Sequence, residues 1–224
     1  MRNNNREKKI ILAMDKPLPH HVLRNMGNEL HGIKIGLPLV LDLGVNKIKE
    51  LLTDLDVNEI IVDFKLADIG YVMKSIVEKL PFADSFIAHA FIGIKGSLDE
   101  LSEYLKMNYK NLYLVAVMSH EGWNISFTDY IKSTIKEIRP YGIVVGGTKL
   151  ELIREFRKEF NDIIIISPGI GVQGAGYGDA ICAGADYEII GRSIYNSEDP
   201  VNSLKSINKT INDKVMECKG GVLR

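Results

Sequence analysis

The 224-residue sequence predicts an α/β protein of the (β/α)8 class, a TIM barrel, folded as a single domain. Eight short apolar runs recur along the whole chain, and stretches with helical spacing of apolar residues separate them. Regular alternation of this kind is typical of parallel strands joined by crossover helices. No linker or low-complexity segment divides the chain, and eight such units match a slightly trimmed closed barrel. We therefore expect one barrel domain over residues 1–224.

The predicted strands are rich in isoleucine, valine and leucine and read as continuous apolar runs. Strands of this kind are buried on both faces, as a parallel sheet covered by helices requires. Chain order places them at residues 10–14, 33–35, 60–62, 85–88, 112–117, 142–145, 163–166 and 187–190.

The intervening stretches show apolar residues at helical spacing, with charged residues on the remaining faces. Two clear examples are the sets Val72, Ile76, Val77, Leu80 and Leu150, Ile153, Phe156, Phe160. The alternative architecture is an open doubly wound sheet, which would carry a GxGxxG turn after its first strand. Here the first strand leads into Met14, Asp15, Lys16 and Pro17, so the barrel is favoured.

Composition excludes several classes of protein. The chain has 28 Lys plus Arg against 29 Asp plus Glu, a net charge of -1, and no basic stripe, which argues against nucleic acid as a partner. No apolar run approaches the roughly 18 residues of a membrane span, and residues 1–9 lack the apolar stretch of a signal peptide. We expect a cytoplasmic protein. Cys182 and Cys218 have no CxxC spacing, so we expect neither a disulfide scaffold nor a zinc site.

Polar residues follow most of the predicted strands at their carboxyl ends, which form the functional face of a barrel. They include Asp15 after strand one, Lys34 in strand two, and Ser119 and His120 after strand five. A single such residue is often a solvated loop charge or a helix cap. Together, carboxylates and ammonium groups at neighbouring strand ends predict an alternating charge array, which perturbs pKa values and supplies a preorganised field.

The most informative segment is Asp63-x-Lys65-x-x-Asp68 at the end of strand three. Residues i and i+2 of a strand point to the same side, so Asp63 and Lys65 are both predicted to project toward the barrel axis. A lysine held between carboxylates stays protonated and can act as a positioned proton donor. The alternative is a structural salt bridge at a strand end.

The last two strands lead into segments that predict a phosphate site. Pro168, Gly169, Gly171 and Gly174 follow strand seven, and Gly191 with Arg192 follows strand eight. Barrels often bind phosphate in these two loops through backbone N–H groups, and an arginine adds two charge-assisted hydrogen bonds. Glycines also permit tight turns without any ligand, which is the alternative.

Several motifs, taken in order, resemble the orotidine 5'-phosphate decarboxylase family in its archaeal form. They are ILAMD at 11–15, KIGLPLV at 34–40, DFKLADI at 63–69, MSH at 118–120, ISPGIGVQG at 166–174 and IIGRSIY at 189–195. This set spans almost the whole chain. The DxKxxD pattern alone also occurs in magnesium-dependent phosphosugar decarboxylases and synthases of the same superfamily, but these usually carry an acidic residue where Lys34 stands.

The resemblance implies decarboxylation of orotidine 5'-monophosphate without a cofactor or metal. Lys65 is similar to the residue that donates a proton to C6 of the pyrimidine, and Asp63 to the carboxylate beside the departing carboxyl group. Lys34 and Asp68 complete the catalytic array, and the resemblance implies that Asp68 comes from the other subunit of a homodimer.

The resemblance also implies a set of substrate-binding residues, namely Asp15, Ser119, Pro168, Gln173, Gly191 and Arg192. Asp15 is similar to the residue that binds a ribose hydroxyl, Ser119 to the one that reads the pyrimidine, and Gln173 to the one that links a closing loop at 172–178 to the phosphate. Arg192 and the Gly191 backbone resemble the phosphate clamp. Where the family commonly has a proline and a ribose-binding threonine, this chain has Gly70 and Val72.

Three functions therefore remain open from the sequence: a pyrimidine nucleotide decarboxylase, a magnesium-dependent phosphosugar lyase, and a non-catalytic barrel that binds a phosphate ligand. Lys34, Ser119 and Gln173 favour the first. His89 and His120 are interpreted as a core or supporting group and a hydrogen-bonded loop residue, respectively.

Overall fold

The computed structural model of the chain describes residues 8–220, so residues 1–7 and 221–224 of the expected domain lie outside the described part. Eight parallel strands pair in chain order, and β1 (Ile10–Met14) also pairs with β8 (Tyr187–Ile190), which closes the barrel. The predicted (β/α)8 class is confirmed. The remaining strands are β2 (Gly32–Gly36), β3 (Glu59–Leu66), β4 (Ser85–His89), β5 (Asn111–Val117), β6 (Gly142–Val145) and β7 (Ile164–Ser167).

Helices connect the strands and pack on the outside of the barrel. Their bounds are α1 (His20–Met26), α2 (Leu37–Leu43), α3 (Val45–Leu52), α4 (Gly70–Glu78), α5 (Asp99–Met107), α6 (Thr128–Ile138), α7 (Leu150–Glu159), α8 (Asp179–Ala183), α9 (Arg192–Tyr195) and α10 (Pro200–Gly220). In the predicted helix α7, Ile153 and Phe156 are fully buried, whereas Glu151 and Arg154 are exposed. The apolar stripe thus covers the barrel, as its helical spacing predicts.

Two apolar layers account for the continuous burial of the strands. Side chains that point into the barrel form one cluster, which contains Ile11, Ile61, Tyr113 and Ile166. Side chains that point outward pack against the helices in a second, larger cluster, which includes Ile10, Leu12 and Phe86. Since both faces are covered, isoleucine and valine are favoured at nearly every strand position.

One expectation from the sequence is wrong. Cys182 of α8 and Cys218 of α10 form a disulfide across a separation of 36 residues. The pairing depends on α10 folding back along α8, which brings the two Cα atoms to 6.0 Å. Cysteine spacing along the chain carries no information about that tertiary contact. Within residues 8–220, no helix is both long and apolar enough to cross a lipid bilayer.

Candidate active site

A cavity of about 430 Å³ opens at the carboxyl ends of the strands. Nine of the ten predicted site residues line it: Asp15, Lys34, Asp63, Lys65, Ser119, Pro168, Gln173, Gly191 and Arg192. Asp68, the tenth, is exposed on the segment between β3 and α4 and does not line this cavity. The fold therefore gathers residues from six strand ends into one place.

An ion-pair array lies on the wall of the cavity. The Nζ atom of Lys34 is 2.9 Å from Oδ2 of Asp63, and Nζ of Lys65 donates to both carboxylate oxygens of Asp63 at 3.0 and 2.9 Å. Burial alone would raise the pKa of Asp63, but the ammonium groups of Lys34 and Lys65 outweigh it and hold this pKa below its usual range. The carboxylate is thus kept ionised between two cations.

The backbone at Lys65 is unusual. Its φ of 47° lies in the left-handed region, and the register between β3 and β4 shifts between Val62 and Leu66. Lys65 and Asp63 share a side as predicted, but they do so at a break in the strand and not along regular extended backbone. A non-glycine residue in this conformation costs free energy and is concentrated at functional sites.

The back wall of the cavity is apolar and was not part of the sequence prediction. Ile87, Val115, Val144 and Ile189 project into it from β4, β5, β6 and β8. Alternation along each strand predicts which residues face into the barrel. It does not distinguish an inward residue that packs the core from one that lines the cavity.

His89 ends β4 near the ion-pair array. Burial and the positive charge of Lys65 lower the pKa of its imidazole, and Asp63 acts in the opposite direction. Its Nδ1 atom is buried without a hydrogen-bond partner among the described residues, and its ring packs against Phe91. His120, in contrast, is exposed in the loop after β5.

The segment after β7 folds over one side of the cavity. Oγ of Ser119 donates to Oε1 of Gln173 at 2.9 Å, which links the end of β5 to this segment. Gly169 and Gly171 have φ values of 92° and 73°, a region that favours glycine. A Cβ on Gly169 would also lie 2.9 Å from the Cβ of Ser119. These glycines are needed for the path of the backbone and for its close contact with neighbouring side chains.

The end of β8 supplies the other side. Gly191 precedes the short helix α9, and Arg192 is exposed at the first position of that helix and faces the cavity. Across the cavity, the carboxylate of Asp15 packs directly on Gly36, where a Cβ would collide with it. A cation, a carboxylate and loop backbone therefore surround a space large enough for a small phosphorylated molecule.

The glycine at position 70, where the family commonly has a proline, has a structural explanation. A Cβ at this position would lie 2.5 Å from the Cβ of Glu100, which packs across the start of α4. Glu100, in α5, accepts a hydrogen bond at 2.7 Å from Lys74 of α4. Glycine makes room for this contact between α4 and α5. Nothing in the structure explains Val72.

Comparisons with known proteins agree with this architecture. The family model described as "Orotidine 5'-phosphate decarboxylase / HUMPS family" matches residues 8–207. The orotidine 5'-phosphate decarboxylase of Saccharolobus solfataricus is 69% identical over 96% of this chain and 97% of its own length. That of Sulfurisphaera tokodaii is 52% identical, over 94% and 98%.

Solved structures show the same likeness. The crystal structure of orotidine 5'-monophosphate decarboxylase from Sulfolobus solfataricus superposes with a TM-score of 0.93 at 69% identity, covering 93% of this chain and 100% of that one. The enzyme from Methanocaldococcus jannaschii complexed with the inhibitor BMP gives 0.83 at 30% identity, over 92% and 99%.

Proposed function

Because the chain belongs to the orotidine 5'-phosphate decarboxylase / HUMPS family, we propose that it is a carboxy-lyase that converts orotidine 5'-monophosphate to UMP and CO2. This reaction serves de novo pyrimidine biosynthesis, and we place it in the cytoplasm. The observation that carries the proposal is the ion-pair array of Lys34, Asp63 and Lys65 on the wall of a cavity of nucleotide size.

The chemistry of the substrate explains why such an array suffices without a cofactor. Loss of CO2 from C6 leaves a vinyl carbanion with no neighbouring carbonyl group to accept the charge. Stabilisation must then come from a fixed cation and from prompt protonation, and Lys65 supplies both. Asp63 lies beside the departing carboxylate in this arrangement and holds Lys65 in place, while Lys34 holds Asp63.

Substrate binding falls to the residues around the rim. We assign the ribose to Asp15, the pyrimidine to Ser119, and the phosphate to Arg192, the Gly191 backbone and Gln173, with Pro168 lining the same wall. The hydrogen bond between Ser119 and Gln173 supports this assignment, because it joins the pyrimidine side to the loop that would close over the phosphate. Binding energy from a remote phosphate can drive such closure and assemble the reacting site.

A homodimer with shared sites accounts for Asp68. Its carboxylate accepts a hydrogen bond from the backbone of Ile69 at 2.7 Å and is exposed outside the cavity. Large apolar side chains next to it are also exposed, with Ile69 at 58% and Tyr71 at 73%. Exposed apolar surface of this kind is typical of subunit interfaces. We propose that a second subunit covers it and receives Asp68 into its own cavity.

The magnesium-dependent phosphosugar lyase is the second candidate, since such enzymes share the Asp63-x-Lys65-x-x-Asp68 pattern. Lys34 disfavours it, because these enzymes usually carry an acidic residue at this position, whereas here an ammonium group pairs with Asp63. The third candidate, a barrel that binds a phosphate ligand without turnover, is disfavoured by the intact array.

One assay tests the first candidate against the other two. The loss of orotidine 5'-monophosphate absorbance is followed with purified protein in the presence and absence of EDTA. We expect turnover that EDTA leaves unchanged. Turnover abolished by the chelator would show that a metal takes part, and no turnover in either sample would refute the decarboxylase in favour of one of the other two candidates.

A further inference from the structure

A buried carboxylate outside the cavity has no part in the chemistry above. Glu188 of β8 is 0% exposed and points outward from the barrel, toward α8. Its Oε2 atom accepts a hydrogen bond from the backbone N–H of Gly178 at 3.0 Å, and Oε1 accepts one from Ala180 at 3.1 Å. Both oxygens are thus bonded to backbone where the 172–178 loop ends and α8 begins.

Strand β8 connects this buried carboxylate to the cavity. Glu188 holds the loop on the outer face, and three residues later β8 gives way to Gly191 and Arg192 at the cavity. Resting on the proposed function, we propose that Glu188 is a positioning residue. It fixes the C-terminal end of the 172–178 loop to β8, so that Gln173 on the loop and Arg192 after the strand bind the same phosphate group.

Further contacts hold the same end of the loop. Lys214 of α10 forms an ion pair with Asp179, and the Cys182–Cys218 disulfide joins α8 to α10. The first part of the loop is different, because Val172 is 59% exposed and a Cβ on Gly174 would meet nothing within 4 Å, whereas Ala175 is buried. A segment that is fixed at its C-terminal end and open over its first three residues can close by a small hinge movement.

Stability alone gives no reason for a carboxylate here. Burial raises the pKa of Glu188 to about 7, although the backbone N–H groups act against this. Asp179 on α8 also raises it and is itself paired with Lys214 on α10. On the flanking strands β1 and β7, Ile10 and Ser167 pair with Glu188 and do not titrate. A buried group of this kind is costly, and both of its oxygens bond to backbone N–H groups, which points to a role in placing the backbone.

The test compares Glu188→Gln with the wild-type enzyme on orotidine 5'-monophosphate and on orotidine, which lacks the phosphate. Glutamine keeps the volume but offers only one acceptor oxygen to the two N–H groups. We expect kcat/KM for the phosphorylated substrate to fall about tenfold or more, mainly through KM, because small misplacements of a binding loop are costly. The kcat/KM of Glu188→Gln for orotidine should stay within about threefold of the wild-type value.

The control is Glu59→Gln. Glu59 is also buried, at 5% exposure, but its carboxylate accepts hydrogen bonds from Ser85 and Tyr113 at the other end of the barrel. The Glu59→Gln substitution should leave kcat/KM per folded molecule unchanged for both orotidine 5'-monophosphate and orotidine. Exchange of the Gly178 and Ala180 amide hydrogens adds a readout that needs no substrate, and it should accelerate in Glu188→Gln.

An unchanged KM for orotidine 5'-monophosphate, or an equal loss on both substrates, would overturn the role of Glu188. No turnover by the wild-type enzyme would instead refute the proposed function, and the inference with it.

Discussion

Asp63 and Lys34 are charged side chains that the barrel buries almost completely, at 9% and 7% exposure. Removing an ion from water costs several kcal/mol, and the attraction between partners offsets this only with good geometry. Contacts of 2.9 Å on both sides of Asp63 provide that geometry. Replacement of one partner would leave an uncompensated buried charge, so we expect the two residues to be coupled in stability.

Arg192 is exposed in the structure, so we expect it to gain its full strength only when ligand and loop exclude water. Arg192→Ala should lower kcat/KM for orotidine 5'-monophosphate by a factor that corresponds to about 1.5–3 kcal/mol, the range of hydrogen bonds to charged groups. Steady-state kinetics should show most of this loss in KM. With phosphate-free orotidine the substitution should have almost no effect, whereas an equal loss on both substrates would mean that Arg192 serves only the fold.

Glu188 gives a pH dependence with a defined sign. Its pKa of about 7 in the folded protein exceeds the ordinary value of 4.5, so between these values the folded state holds a proton that the unfolded chain releases. Protonation of Glu188 therefore favours the folded state. This contribution is complete below pH 4.5 and is lost as the pH rises through about 7. Relative to Glu188→Gln, the free energy of unfolding of the wild type should fall by about 3 kcal/mol over this window. Urea unfolding measures it, and a constant difference would refute the assignment.

At the scale of elements, strand β3 shows what the sequence can and cannot predict. Its apolar run at 60–62 identifies the strand, and period-two spacing places Asp63 and Lys65 on one side. The positive φ of Lys65 is not predictable, because no local signal marks it and the pairing with β4 imposes it. Strands β1, β6 and β8 have the predicted bounds, since their apolar runs end at glycine or charged residues.

Helix α10 is a second case. Its contact with α8 arises only in the folded chain, so neither the Cys182–Cys218 disulfide nor the buried anchor Glu188 has a sequence signal. The nine cavity residues were predictable for the opposite reason. A closed barrel brings all carboxyl ends of its strands to one face, so the order of motifs along the chain is enough to predict their proximity.

The disulfide should stabilise the protein measurably. Closing a loop of 36 residues restricts the unfolded chain, and such links typically contribute about 2–4 kcal/mol. We expect Cys182→Ser with Cys218→Ser to lower the free energy of unfolding by this amount, and reduction of the wild type to reproduce it. Guanidinium unfolding with and without dithiothreitol measures both. Equal midpoints for all samples would show that the bond contributes nothing.

In the whole molecule, nine of the ten predicted site residues line one cavity, and the tenth, Asp68, is exposed outside it. Asp68 and its apolar neighbours Ile69 and Tyr71 lie together on the surface beside α4. Two copies related by a twofold axis could exchange Asp68 across an isologous interface, so that each cavity is completed by the other chain.

Mixed subunits test this exchange. Lys65→Ala and Asp68→Ala subunits are each expected to be inactive, but a hybrid dimer contains one cavity with an intact Lys65 and an intact Asp68. Statistical mixing should restore about one quarter of wild-type turnover, because half of the dimers are hybrids and each has one working site. If native mass spectrometry shows exchange and no activity returns, the shared site is wrong.

The substitution Lys65→Ala tests whether Lys65 protonates the substrate. We expect kcat to fall by at least about 10³-fold, because the group acts as proton donor and as fixed cation in the transition state. Calorimetry should show UMP binding within about threefold of wild type, since ground-state contacts remain. Lys47→Ala, on the surface of α3, is the control and should match wild type. Turnover by Lys65→Ala within about tenfold of wild type would show that Lys65 is not the proton donor.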